Sequence, residues 1–205
     1  MKKTIFSLAI VALTLIAAAC GSNKTAETAG EQTTDALTVD EVLTNPEQYV
    51  NDTLTIEGVC SHLCRHGGRK AFLQGNADNM QLRCEAYPLM GENFPATTIH
   101  RPMTVVGVLR EQRIDNETVA EMERQYAEQI KQLAEQEGEE RAELESIAAA
   151  GCDTERAARG QQDLTTFQEQ MDDYRARIAA RQAKEGKSYI SFYYLDAISY
   201  QTLAD

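Results

Sequence analysis

The segment formed by residues 188–200 constrains the fold of this chain more than any other. It reads Ser-Tyr-Ile-Ser-Phe-Tyr-Tyr-Leu-Asp-Ala-Ile-Ser-Tyr, the densest run of β-branched and aromatic residues in the sequence, which is typical of a β-strand. A strand alone buries nothing, so this one must pair with strands that come earlier. A long stretch with a helical period precedes it, so the sequence predicts a sheet interrupted by a helical insertion.

Four earlier segments have the pattern of strands. In the first, apolar and polar residues alternate with period two, and Gly67-Gly68 ends it in a turn. Gly58 and Gly107 lie inside the first and fourth segments, where glycine suits a bulge or a strongly coiled strand. The four segments are residues 53–62, 70–74, 80–87 and 103–110. With the fifth strand they predict an α+β fold built on a five-stranded β-barrel.

The helical stretch has two parts, each with one apolar stripe. The first begins near Asn116, which is suited to cap a helix, and the second spans residues 163–184 and stops at Gly186. Apolar residues recur at three- and four-residue steps in both parts, at Val119, Met122, Tyr126, Ile130 and Leu133, and at Leu164, Phe167, Met171, Tyr174 and Ile178. A break at residues 151–154 separates the parts, so the pattern predicts an antiparallel α-helical hairpin inserted between strands 4 and 5.

The first twenty residues have the layout of an export signal. Lys2 and Lys3 precede an apolar run at residues 5–16, and three alanines then precede Cys20. The run is too short for a membrane span. A cysteine directly after small residues resembles the bacterial lipobox, although Ala17 stands where leucine is usual. The resemblance implies cleavage before Cys20 and lipidation of its thiol, which would anchor the protein in a lipid bilayer of the bacterial cell envelope.

The resulting domain organisation has four parts. A lipoprotein signal peptide at residues 1–19 is followed by a flexible tether at residues 20–36, which is polar and has no hydrophobic period. The barrel takes residues 37–114 and 187–203, and the hairpin takes residues 115–186. A short helix capped by Thr38 is predicted ahead of the first strand, because Asp40 and Glu41 follow in its first turn.

The net charge of the chain, −12, argues against one class of partner. Removing Lys2 and Lys3 with the signal would make the remainder −14, two units more acidic. Such a surface repels phosphate backbones, which argues against nucleic acid as a general partner. The polar hairpin is expected to be a structural arm or a surface for a protein partner.

Three segments carry a resemblance to a known fold. They are Leu-Thr-Ile-Glu-Gly-Val at residues 54–59, the cysteine-bearing turn at residues 64–73, and Thr-Val-Val-Gly-Val-Leu at residues 104–109. They resemble the OB-fold, and in particular OB-like domains of exported lipoproteins of Bacteroidota. The resemblance covers residues 38–113 and 188–200 and implies the barrel. The nucleic-acid binding of many OB-folds is not carried over, because the charge, the anchor and the compartment differ.

The richest group of metal ligands lies at the end of the first strand. It contains Cys60, His62, Cys64 and His66, and thiolates and imidazoles are the ligands that zinc and copper prefer. In an extended strand Cys60 and Cys64 would be ~13 Å apart, so Cys60 drops out of a shared site. Cys64 and His66 would then converge in the turn, with Cys152 as the third ligand. Alternatively, a Cys64–Cys152 disulfide would contribute about 3 to 5 kcal/mol, or one thiol would be catalytic or redox-active.

The turn itself offers a second candidate site. The amides of Gly67 and Gly68, with the charges of Arg69 and Lys70, form a pattern that can bind an anion. The alternative is a plain hairpin turn with two solvated cations.

Two hypotheses of different classes follow. The first is a non-enzymatic binding or interaction module of the cell envelope, which needs no cofactor. The second is an envelope metal- or thiol-handling protein centred on Cys64, His66 and Cys152, for which zinc would be the metal. The sequence contains three histidines, and none lies in a setting that indicates a catalytic triad.

Overall fold

The longest strands of the protein flank the helical insertion. The computed structural model describes residues 36–64, 67–77, 80–135 and 152–203, without the side chains of residues 133 and 134. Within these residues the elements are β1 Leu37–Thr38, α1 Val39–Thr44, β2 Thr53–Leu63, β3 Lys70–Gln74, β4 Gln81–Glu85, β5 Pro102–Asp115, α2 Asn116–Ala134, α3 Asp153–Ala158, α4 Phe167–Glu185 and β6 Tyr189–Thr202. Short 3-10 turns occur at Pro46–Tyr49 and Ala96–Thr98.

Five strands close into a barrel in the order β2-β3-β4-β6-β5, and β5 pairs back to β2. Every pair in this circuit is antiparallel except β4 and β6, which are parallel. The strand β1 adds a short parallel pairing to β2. The predicted α+β fold is therefore confirmed, with the helices between the fourth and fifth barrel strands. The segment at residues 188–200 pairs with earlier strands on both sides, as its composition required.

Strand β5 is longer than its predicted span of residues 103–110. It continues to Asp115, and its last residues pair with the start of β6, where Ile114 lies opposite Ile190. These two isoleucines belong to a second apolar cluster beneath the helices, which also contains Val119, Met171, Tyr174 and Ile178. The sequence did not predict this extension, because residues 110–113 are all polar and do not show the apolar–polar alternation of a strand.

The glycine predicted to permit coiling in β5 lies at a close approach between strands. A Cβ at Gly107 would lie 2.5 Å from the carbonyl oxygen of Asp196 and 2.7 Å from Cγ of Leu195. The register with β6 shifts next to Gly107, as expected for a bulge. In β2 the register shift falls between Cys60 and His62 instead of at Gly58.

The helix ends follow the capping signals of the sequence with two differences. Thr38 and Thr166 each form a capping box, with Glu41 and Glu169, and Gly186 ends α4 in the left-handed region. Helix α2 is capped by Asp115 instead of Asn116, because the amide of Thr118 donates to its carboxylate at 2.8 Å. The second predicted helix begins at residue 167 instead of 163, because the capping box at Thr166 sets its start.

The two long helices form the predicted hairpin contact. The rings of Tyr126 on α2 and Phe167 on α4 stack with their centroids 4.1 Å apart. Between them, α3 begins inside the predicted break at residues 151–154 and extends beyond it to Ala158, and Cys152 lies at its N-cap position. The first predicted helix beyond residue 135, and Gly151, lie outside the described residues. In the part of the chain that is described, no helix is long and apolar enough to span a membrane.

The turn between β2 and β3 provides a test of backbone packing. Gly67 and Gly68 both have positive φ, at 71° and 79°. A Cβ on Gly68 would lie 2.1 Å from the carbonyl oxygen of Phe94, whereas the nearest atom to one on Gly67 is 3.5 Å away. We expect Gly67→Ala to lower the free energy of unfolding by about 1 kcal/mol through backbone strain alone. Gly68→Ala should cost at least about 2 kcal/mol more, because the chain must also move.

Urea unfolding of the two variants, which share the same strain, isolates the steric contribution. Equal losses of stability in Gly67→Ala and Gly68→Ala would show that the approach of Phe94 to the turn does not constrain this loop.

Candidate functional site

Cys64 and Gly68, two of the sequence-predicted site residues, lie in the turn that follows β2. The Sγ atom of Cys64 accepts a hydrogen bond from the Lys70 amide at 3.2 Å. The amide of Gly68 donates to the Cys64 carbonyl oxygen at 3.3 Å, and the carbonyl of Gly68 accepts from the Phe94 amide at 2.9 Å. His66 lies outside the described residues, so its predicted convergence with Cys64 stays a prediction.

The other strand cysteines belong to the barrel core. Cys60 and Cys84 are fully buried among apolar side chains. Burial raises the pKa of the Cys60 thiol, although contacts with Thr98 and the His62 carbonyl partly oppose it, and burial also raises the pKa of Cys84. Both therefore remain protonated and act as small apolar residues. Cys60, a candidate ligand from the sequence, is placed in the core and not at the turn.

The predicted disulfide between Cys64 and Cys152 is not formed, since both thiols are free. The Sγ atom of Cys152 instead lies 3.5 Å from Nε2 of His62, on strand β2. The physical reason is that the two thiols have different partners. Cys152, at the N-cap of α3, contacts His62, whereas the Cys64 thiol accepts a hydrogen bond from the backbone of the turn. The sequence indicated His62 as a candidate ligand because it lies two residues from Cys60 and two residues from Cys64.

A metal site of three or more ligands is not assembled by the side chains that the structure describes. Cys152 and His62 are close, but no third histidine, cysteine or carboxylate joins them among those residues. The predicted set of Cys64, His66 and Cys152 includes one residue beyond that description.

The candidate anion site at residues 67–70 is organised by groups of the chain itself. The guanidinium of Arg69 lies over the ring of Tyr87, 5.1 Å from its centroid. The ammonium of Lys70 forms an ion pair with Glu155 of α3 at 3.0 Å. The anion held by Lys70 in this structure is therefore a carboxylate of the insertion.

Glu155 is the centre of an ionic cluster that holds α3 on the barrel. Besides Lys70 it contacts Arg83 of β4 at 2.8 Å and Arg159, one turn further along, at 2.9 Å. Burial alone would raise the pKa of Glu155, but the charges of Arg159, Lys70 and Arg83 outweigh it and lower that pKa to about 2. We call these four residues the Glu155 cluster.

Next to the Glu155 cluster, a cleft of about 280 Å³ opens between the barrel and the insertion. Its walls come from α1, β4, α3 with the turn after it, α4 and β6. The lining residues are Leu43, Gln81, Arg83, Glu155, Ala158, Arg159, Gly160, Arg177, Ser191, Phe192 and Tyr193. The guanidiniums of Arg159 and Arg177 each lie 5.3 Å from the centroid of the Phe192 ring. The cleft thus joins three cations to an aromatic side chain.

Sequence reasoning did not find this cleft. Arg83, Arg159 and Arg177 come from a strand, a turn and a helix that are distant in sequence, so no local spacing unites them. The one available signal was the alternation in β4, which places Arg83 on the opposite face from the buried Leu82 and Cys84.

Comparison with protein-family models, with curated proteins and with solved structures finds no match to this chain. The function must therefore be argued from the site.

Replacing Glu155 tests the ionic cluster. A pKa lowered from 4.5 to about 2 corresponds to roughly 3 kcal/mol of folding free energy above about pH 4.5. Because the folded-state pKa lies below the unfolded one, this contribution is lost as the pH falls from about 4.5 toward 2. We expect Glu155→Gln to lose about 3 kcal/mol of stability near neutral pH and to approach the wild type near pH 2, measured by urea unfolding.

Glu128→Gln is the matched control, because Glu128 is an exposed helix carboxylate 4.0 Å from Lys131. It should change the free energy of unfolding by less than about 0.5 kcal/mol at any pH. A Glu155→Gln variant as stable as this control at neutral pH would contradict the role of the cluster.

Proposed function

We propose that this protein is a lipid-anchored, non-enzymatic binding module of the bacterial cell envelope. The observation that carries the binding role is the cleft between the barrel and the insertion, where cations and an aromatic ring meet in a concave surface. Concave surfaces in which convergent polar groups can fix the orientation of a ligand are the usual form of ligand sites. The anchor rests on the basic, apolar and small-residue order that precedes Cys20.

Two physical observations argue against nucleic acid as a ligand. The chain has a net charge of −12, and α3 packs against β4 on the outer face of the barrel. An extended phosphate backbone would meet a repulsive surface and an occupied strand face. A protein partner on the hairpin of α2 and α4 is the further expectation of this proposal.

A panel of small molecules with anionic, neutral and cationic groups tests the binding role. We expect at least one class to raise the melting temperature of the full-length protein in neutral detergent. The shift should disappear in Ala158→Phe, which fills the cleft, and persist in Ala180→Phe, which adds the same ring to an exposed position of α4. If no class shifts the melting temperature, or if both variants behave alike, the cleft is not a ligand site.

The anchor is checked by fractionation of the same cells. Wild-type protein should sediment with membranes, and Cys20→Ala should be recovered in the soluble fraction. Sedimentation of Cys20→Ala with membranes would remove the anchor from the proposal.

A second candidate function, metal or thiol handling, is favoured by the contact of Cys152 with His62. Their ligand atoms are 3.5 Å apart. Tetrahedral zinc, with bonds of about 2.3 Å to sulfur and 2.0 Å to nitrogen, separates such atoms by roughly the same distance. Cys64 and His66 follow His62 in the chain and are the ligands that would complete the set.

Metal analysis of the purified protein distinguishes this candidate from the first. Stoichiometric zinc or copper that is lost in Cys152→Ala and His62→Ala, and retained in the core variant Cys84→Ala, would support it. Protein that binds neither metal after incubation with each would exclude the metal-handling function.

A further inference from the structure

The charge of the cleft differs in sign from the charge of the chain. The whole protein has a net charge of −12. The residues that line the cleft, however, include three cations, Arg83, Arg159 and Arg177, and a single carboxylate, Glu155. Lys70 also pairs with that carboxylate. Three cations therefore share one carboxylate in the Glu155 cluster. Glu85 and Asp173 neutralise part of this surplus by their contacts with Arg83 at 3.0 Å and with Arg177 at 3.3 Å. The local balance still favours an added negative charge.

Arg177 presents an unused hydrogen-bonding edge to the cleft. Its Nη1 atom donates to the carbonyl oxygen of Arg159 at 2.8 Å and contacts Asp173 at 3.3 Å. Within the described residues, Nε and Nη2 of Arg177 have no hydrogen-bond partner, and 37% of the side chain is exposed. These two atoms form the parallel pair of donors that binds carboxylate or phosphate in a bidentate manner.

Glu155 decides where an added anion can bind. Its carboxylate already occupies the deep end, among Arg83, Arg159 and Lys70. The side chains of Arg83 and Arg159 are only 11% and 15% exposed. A ligand anion therefore meets the more exposed Arg177 first and does not need to displace Glu155.

Apolar groups lie beside these donors. Phe192 is flanked by the guanidiniums of Arg159 and Arg177, and Leu43 and Ala158 also line the cleft. Burial raises the pKa of Tyr193, so its hydroxyl stays neutral and adds no negative charge. A flat apolar body would find both a packing surface and the exposed guanidinium within one cleft.

The size of the cleft limits the ligand. Its volume of about 280 Å³ lies just below the range of roughly 300–1,000 Å³ that is usual for ligand sites. A molecule of one or two rings fits this range, and an extended polymer does not.

We propose that the cleft binds a small organic anion, in which a carboxylate or phosphate pairs with Arg177 and a flat apolar body packs beside Phe192. This proposal rests on the proposed binding function and adds the chemical class of its ligand. Carboxylates and phosphate monoesters share the required chemistry, and the experiment separates them.

Calorimetric titration of the full-length protein in neutral detergent tests the proposal with four probes. They are benzoate, phenyl phosphate, the neutral analogue benzamide, and acetate, which has the charge without the ring. We expect benzoate or phenyl phosphate to bind at least about tenfold more tightly than benzamide and acetate, because a charged hydrogen bond and the apolar contact are each lost in one analogue. The tighter of the two anions identifies the headgroup.

Arg177→Gln should weaken binding of the preferred anion by at least about tenfold. Arg175→Gln is the matched control, because Arg175 lies on the same helix, is similarly exposed, pairs with Glu123 and does not line the cleft. It should bind as the wild type does, and circular dichroism should show both variants folded. Arg177→Lys, which keeps the charge and loses the paired donors, should bind with intermediate affinity.

Three results would overturn the proposal while the binding function stands. They are benzamide binding as tightly as benzoate, acetate binding as tightly as benzoate, and Arg175→Gln weakening binding as much as Arg177→Gln. If none of the four probes binds and the broader panel gives no cleft-dependent shift, the binding function itself fails.

Discussion

The pairing of β6 with both β4 and β5 is the interaction on which the rest of the structure depends. One edge of β6 runs antiparallel to β5 from Tyr189 to Thr202, and the other runs parallel to β4 at residues 194–196. The first contact reaches beyond the barrel and supports the helices, and the second closes the barrel. Since one strand serves both units, the barrel and the insertion share a common backbone framework, and the cleft between them has walls from each.

A single carboxylate then sets the position of α3 on this framework. Glu155 draws cations from β3, β4 and the turn after α3, which are otherwise unconnected in sequence. Holding α3 there brings Cys152 to His62 and places Ala158 and Arg159 in the cleft wall. The thiol contact and the cationic cleft are thus two consequences of one ionic cluster. Both depend on the insertion being seated on the barrel, although they involve different chemistry.

Sequence reasoning predicted those features that follow from local periodicity. Alternation and the β-branched and aromatic composition identified the five barrel strands, the glycine inside β5 indicated a bulge, and the cap at Thr38 located the start of α1. It failed where tertiary contacts decide the outcome. Helix α3 is only six residues long and is held by ion pairs, so no apolar stripe signals it. The arginines around Phe192 are far apart in the chain, and His62 was assigned to the strand without a partner because nothing local places Cys152 beside it.

The position of β6 in the chain order has a consequence for how this protein is made. The strands β2 to β5 leave the ribosome before the insertion, but they cannot form a closed barrel, because β6 must lie between β4 and β5. Until the insertion and β6 have been synthesised, β4 and β5 each present an edge without its partner. Closure of the barrel is therefore deferred until β6 has been synthesised, and until then the open edges of β4 and β5 are available for incorrect pairing.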